Sequence, residues 1–432
     1  MEFKAKLFKT AKTLYSKYTS LFYFVLFYAF LLNYHTIVTA YSIGEWSVDS
    51  ATYTHHLVDY SFGFCTKFLP GAIYHLFFKE VYHDQLNVYL RILVLIFFAA
   101  LSFFMAKAMT LQKTGADRKT LLVILAFYLT GPCTFAIFTQ QLGMLDLYWM
   151  LFGALFFFAV RNRFLKYFIP VLFVLTLLVH FSSLVSYIVL FVLILAYESL
   201  SNERKGAYKA VLAVSATVTI LLFLYFLLYE SANLKYDMNG FNAEISRRDN
   251  ENYNYFIYFD YALYNFFDSG SGVNKYVEKD ITAFFPTLGP KLSAPLAKVI
   301  ATVLSHIQFN MTIYTSEQII IIAACLVTLA PILVLFAMFW AHMIKGESLP
   351  KKLLYTAALL QFYITYAIGI VTSVDSGRWC THAFLVQFTF VIYVVLKENQ
   401  ISWFKTKLSK LKPWQIVLYL SVYGIVQVPA YC

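Results

Sequence analysis

The sequence predicts an all-α polytopic membrane protein with about eleven transmembrane helices and interfacial amphipathic helices in two outer loops. Three observations predict it. The 432 residues are 60% hydrophobic and only 13% charged, with mean hydropathy +0.65, whereas a soluble domain carries about 25% charged residues. Apolar runs recur at close to the ~20 residues that a helix needs to cross a hydrocarbon core of about 30 Å. Lysine and arginine are divided unevenly among the segments joining those runs, the bias that orients membrane helices.

Taken in order, the runs are 20–40, 88–107, 120–138, 145–160, 167–180, 184–198, 209–229, 318–341, 353–372, 381–396 and 414–431. The first follows a lysine-rich start, is too long for a signal-peptide core and lacks a cleavage site, so it is expected to remain as an anchor. Runs four to six are short, and 167–198 reads either as two spans or as one long kinked element. With the N-terminus cytoplasmic, the inner segments hold 23 of the 34 Lys and Arg; the outer segments and span mouths hold the other 11 and most of the acids. The C-terminus then lies outside. The net charge of +11 is an orientation signal that also meets anionic lipid head groups, so membrane lipids, and not nucleic acid, are the expected partners. Cys65, Cys133, Cys325, Cys380 and Cys432 are scattered without metal-ligand spacing, and no metal site is predicted. No repeat or soluble domain interrupts the chain, which reads as one transmembrane domain over 1–432.

Two segments are expected outside. The first, 41–87, contains the aromatic stretch Phe68 to Val81, broken by Pro70 and Gly71; it is too short to span and is expected to lie in the interface as an amphipathic helix. The second, 230–317, is far longer than an ordinary connection. Within it Leu296, Val299, Ile300, Val303, Leu304 and Ile307 recur at helical spacing. Its stretch "NYNYFIYFDYALYNFF" reads as an aromatic belt or as a stacking surface for sugar rings. The cluster "SRRDNE" at 246–251 reads as a solvated face.

Charged groups at membrane depth are costly and mark function. Asp49 follows the first span, Asp146 heads the fourth in "QLGMLDLYWML", and His180 closes the fifth in "LLVHFSSLVSY". Arg91 sits just inside the second, while Asp375 and Arg378 form the turn in "TSVDSGRWCTHAFL". All fall at outer span ends, which points to a polar cavity open to the outer leaflet. Each also has a plainer reading: an exposed ion pair for Asp375–Arg378, a helix cap for Asp146, a hydrogen-bonded core histidine for His180, a solvated loop for Asp49, and snorkelling for Lys67 and Arg91. Gly377 and Trp379 beside Arg378 suit a close-fitting site, and a guanidinium matches phosphate oxygens two at a time.

An acid beside cations at the outer leaflet suits sugar transfer from a polyprenyl phosphate, the acid acting as general base and the cations holding the departing phosphate. An acid-bearing first outer loop followed by a lipid-lying helix resembles the C-type membrane glycosyltransferase superfamily. "QLGMLD", "LLVHFSS" and "DSGRW" are similar to stretches of bacterial polysaccharide-assembly membrane proteins of this type. The resemblance implies an outer-face transferase taking a polyprenyl-linked sugar donor and a glycan or lipid acceptor. It implies Asp49 in "SVDSATY" as the base, with Asp59 second. Asp146 and His180 are then expected to shape the acceptor pocket. Arg378, steadied by Asp375 and helped by Lys67 or Arg91, is expected to clamp phosphate, and no cofactor is required. The chain lacks the family's soluble C-terminal domain and a paired-acid motif in the first loop. A capsule or O-antigen polymerase or ligase, leaning on Arg247, Arg248 and Arg378, is the alternative, and a lipid or solute transporter is a second.

Overall fold

The computed structural model describes residues 18–37, 48, 50–131, 145–203, 205–229, 233–236, 238–251, 316–372 and 376–425. Among these the chain is helical, without a named strand. Six helices are long and apolar enough to cross a membrane: α1 (Tyr18–Ile37), α4 (His83–Leu111), α9 (Lys205–Tyr229), α11 (Ser316–Ile344), α12 (Leu349–Thr372) and α13 (Ser376–Lys397). Shorter apolar helices stand among them: α5 (Gly115–Leu129), α6 (Leu145–Arg161), α7 (Ile169–Val179), α8 (Tyr187–Ser201) and α15 (Pro413–Ile425). The remaining helices are α2 (Ser50–Leu57), α3 (Leu69–Tyr74), α10 (Met238–Arg248) and α14 (Ile401–Leu408).

Segment 167–198 is two antiparallel arms and not one kinked element. Phe191 on α8 stacks on Phe156 of α6 at 4.2 Å and packs on Phe173 of α7 at 5.5 Å. Trp149, near the start of α6, donates Nε1–H to the Thr176 carbonyl near the end of α7 at 2.9 Å. At the other end, the Tyr208 hydroxyl of α9 donates to the Val160 carbonyl at 2.8 Å. A helix of 11 or 15 residues is about 16 or 22 Å long, and short 3₁₀ turns, Leu165–Phe168 and Phe181–Val185, adjoin these arms.

The described part of segment 41–87 is packed into the bundle. Within the stretch Phe68 to Val81 lies the six-residue α3, started by Pro70 at a first-turn position that needs no N–H. Its Leu69, Pro70, Gly71 and Tyr74 are buried, while Leu76 and Phe77 beyond it are exposed. The approach is close: a Cβ on Gly71 would lie 1.9 Å from the Val58 carbonyl oxygen. Upstream, the Val48 amide donates to Asn87 Oδ1 of α4 at 2.9 Å.

The described start of segment 230–317 is tied onto segment 41–87 through α10. Isolated bridges join Gly63 to Leu234 and Val81 to Asp249. Arg248 Nη1 lies 3.0 Å from Asp59 Oδ2, its Nη2 donates to Ser61 Oγ at 2.6 Å, and the guanidinium covers the Phe62 ring. Most of "SRRDNE" is a solvated face, with Ser246, Arg247, Asn250 and Glu251 exposed; Arg248 and Asp249 depart from it, Asp249 being buried with the Tyr53 hydroxyl 3.3 Å away. The helical spacing at 296–307 and the aromatic stretch Tyr253 to Phe267 lie outside the described residues. At the opposite end of the bundle, buried Glu198 of α8 accepts from Lys397 Nζ of α13 and from Asn202 Nδ2, both at 2.6 Å, and from the Tyr393 hydroxyl.

Candidate functional site

The polar centre of the bundle is a carboxylate held by two cationic-type groups from another helix. Asp146, in the first turn of α6, is wholly buried. Arg378 Nη2 lies 2.9 Å from its Oδ2 and 3.1 Å from its Oδ1, and His382 Nε2 lies 2.9 Å from Oδ1. Arg378 and His382 are four residues apart on α13, so one helical face presents both. A buried charge is tolerated only when paired and hydrogen-bonded, and these contacts supply that pairing. Asp146 is therefore not a solvated cap: its Oδ1 accepts a hydrogen bond from Arg378, its Oδ2 pairs with the same group, and the carboxylate fixes the guanidinium.

Aromatic rings wall the group. Trp149 lies 5.6 Å from the His382 ring, 5.4 Å from Tyr187 and 6.3 Å from His180. The Tyr187 hydroxyl is 3.3 Å from His382 Nδ1. Trp379 packs on His382 from the other side at 6.0 Å and fills the space over Gly369 of α12, where a Cβ would sit 2.2 Å from its ring.

Two loop elements bring further groups to the same end. Lys67 is buried, with φ +68, a left-handed conformation uncommon for a residue with a side chain. Its amide donates to the Leu178 carbonyl of α7 at 3.0 Å. Backbone strain of this kind gathers where a side chain must be aimed. His180 follows α7 in extended conformation; its Nδ1 accepts from the Ser182 amide at 3.0 Å. That acceptance places the ring proton on Nε2 of the neutral form, making Nε2 a donor rather than a base. Lys67 and Arg378 both act electrostatically on His180 and on His55 of α2. His55 is pushed well below its ordinary value by burial first, then by Lys67, His56 and Arg378. His56 is lowered to about 4, chiefly by burial. Its Nδ1 meets the Thr52 carbonyl at 2.6 Å and its Nε2 meets the hydroxyl of Tyr148 at 2.8 Å, which locks α2 beside Asp146.

No family model, no curated protein and no solved structure matches this chain. The site is therefore read from its own residues. Among the described residues the structure brings together Asp146, His180, Lys67, Arg378 and Trp379, taken from four separated stretches of sequence. It does not gather the rest. Asp59 belongs to the Arg248–Ser61 latch, where burial opposes its ionisation but the Ser61 hydroxyl and amide and the Arg248 guanidinium hold it below its ordinary value. Arg91 is exposed on α4. Asp49 and Asp375 lie outside the described residues, and the described carboxylate holding Arg378 is Asp146. No disulfide joins Cys65 to Cys380. Among the described residues no group of three His, Cys, Asp or Glu is placed to hold a metal ion.

Sequence reasoning missed His382, His55 and Tyr187. His382 stood in the highlighted stretch, one turn after Arg378, and helical spacing would have found it. His55 and Tyr187 carried no comparable signal: a histidine pair in an outer segment and a tyrosine near a span end are ordinary at membrane interfaces.

Proposed function

We propose that this protein is an integral membrane glycosyltransferase that moves a sugar from a polyprenyl-phosphate donor to a glycan or lipid acceptor on the non-cytoplasmic face. The observation that carries the proposal is the buried Asp146–Arg378–His382 group with Lys67 and His180 at the same bundle end. Among the described residues there, two full cations outnumber one carboxylate, an arrangement suited to an anionic phosphate. The topology belonging to this proposal has eleven crossings, counting the five shorter apolar helices as spans, with the N-terminus cytoplasmic and the C-terminus outside.

In this mechanism the acceptor hydroxyl oxygen attacks the anomeric carbon, and the bond from that carbon to the phosphate oxygen breaks. The hydroxyl proton passes to Asp49, which precedes α2 in the chain, and the departing phosphate keeps the bond electrons. Arg378 and Lys67 oppose the charge that grows on that phosphate, where a low-dielectric wall makes each contact count most. His180 donates from Nε2 to a phosphate or sugar oxygen, and Asp146 holds Arg378 in place. The cations do this without a cofactor. Glycan output from cells lacking the protein, complemented with wild type, Asp49→Asn or Arg378→Ala and checked for membrane level, tests the reading. Two inserted but inactive variants that accumulate a truncated lipid-linked glycan support it, whereas full activity in both sinks it.

The polymerase or ligase alternative leaned on Arg247, Arg248 and Arg378. Arg248 is committed to Asp59 and Ser61, so that alternative rests on Arg378 and the exposed Arg247; loss of function with Arg378→Ala but not with Asp49→Asn would favour it.

A further inference from the structure

At the bundle end opposite the Asp146–Arg378 group, a shallow cradle is lined by Arg163, Phe164, Lys166, Tyr167, Gly206 and Ala207. Arg163 and Lys166 belong to the turn between α6 and α7. Gly206 and Ala207 belong to the first turn of the 25-residue α9, whose leading N–H groups have no partner within the helix and carry the positive end of its dipole. The second observation is Lys166 itself, only 2% exposed. Its Nζ lies 5.2 Å from the Tyr167 ring centre and 5.0 Å from that of Tyr208. Among the described residues no carboxylate pairs with it. Aromatic faces attract an ammonium but do not neutralise it, and a buried charge without a counter-ion is costly. Arg163, exposed and stacked over Phe164 at 4.5 Å, adds a second cation at the rim. Nothing occupies the space above Gly206, where a Cβ would meet no atom within 4 Å.

We propose that this cradle is a binding site for a phosphate-bearing anion, its oxygens meeting Lys166 Nζ, the Arg163 guanidinium and the first amides of α9. Helix N-termini with nearby cations hold phosphate in this way. The chemistry is shared by an anionic lipid head group and a soluble phosphate compound, and two probes separate them. The purified full chain is unfolded thermally in nanodiscs of phosphatidylcholine with or without phosphatidylglycerol, and in detergent with or without inorganic pyrophosphate. Each is repeated with Lys166→Gln and with Gly206→Leu. The leucine enters the cradle from a Cβ that meets no atom within 4 Å and improves helix propensity, so it reads the site even if Lys166→Gln fails to fold. Stabilisation by phosphatidylglycerol alone identifies a head-group site, and stabilisation by pyrophosphate identifies a soluble ligand. In either case the concentration for half-effect rises about tenfold in the variants, the cost of one charge-assisted hydrogen bond. No stabilisation by either probe, or equal stabilisation of wild type and both variants, overturns the proposal.

Discussion

Asp146 and Arg378 stand 232 positions apart in the chain and 2.9 Å apart in space. Removing one partner of a buried ion pair strands the other, at a cost of about 3–5 kcal/mol, whereas removing both costs much less. Asp146→Ala and Arg378→Ala are each expected to lower the thermal unfolding temperature of the purified protein. The double variant is expected to lose less than the sum, because groups in contact do not behave additively. Strictly additive losses would show that the pair is not coupled. His180 gives a second residue-scale expectation. If Nε2 acts as a donor, His180→Gln keeps part of the glycan output and His180→Leu keeps none; equal loss in both would remove its assigned role.

At the scale of elements, two glycines mark where helices meet other chain too closely for a side chain. Gly71 brings α3 onto the Val58 carbonyl, and Gly369 brings α12 onto Trp379. Overpacking of this kind costs about 1–3 kcal/mol. Gly71→Ala is expected to lower the unfolding temperature, since a backbone carbonyl has little room to yield. Gly369→Ala should do the same in wild type and be partly relieved by Trp379→Gly, which removes the struck Cβ, Cγ and ring. Thermal unfolding of the four proteins in detergent checks this; no relief in the double variant would place the Trp379 ring elsewhere.

For the whole molecule, the Asp59–Arg248 latch is the ion pair that, with the Gly63–Leu234 and Val81–Asp249 bridges, ties segment 41–87 to α10 among the described residues. The folded-state pKa of Asp59 lies below its ordinary value, so the unfolded or unlatched chain binds the proton more tightly. The latch contribution is therefore fully present above the ordinary carboxyl value of about 3.9 and is lost as pH falls through the lowered one. Limited proteolysis of the outer segments is expected to accelerate below about pH 4 in wild type. Asp59→Asn should cleave fast at neutral pH as well and lose that acid step. A wild-type profile retained in Asp59→Asn would mean that another group closes the latch.

Hydropathy alone determined that this is a helical membrane protein, because a helix in hydrocarbon satisfies its own backbone and each long apolar run must do so within itself. The cost of charge at membrane depth picked out Asp146, His180, Lys67 and Arg378 before any contact was known, since that cost does not depend on which partner repays it. Only tertiary structure decided the partners. The sequence placed Asp375 beside Arg378, but the described partner is Asp146, and the one-turn spacing that makes His382 its companion matters only once α6 packs against α13. Tertiary packing also decided which side of the Phe68 to Val81 stretch is covered, burying Leu69, Pro70, Gly71 and Tyr74 and leaving Leu76 and Phe77 exposed. The same packing separated Asp59 from the site and set Lys166 at the far end among aromatic rings. Pattern along a chain records the environment each residue must enter; which residues share that environment depends on how helices pack, and that is fixed by contacts between distant parts of the chain.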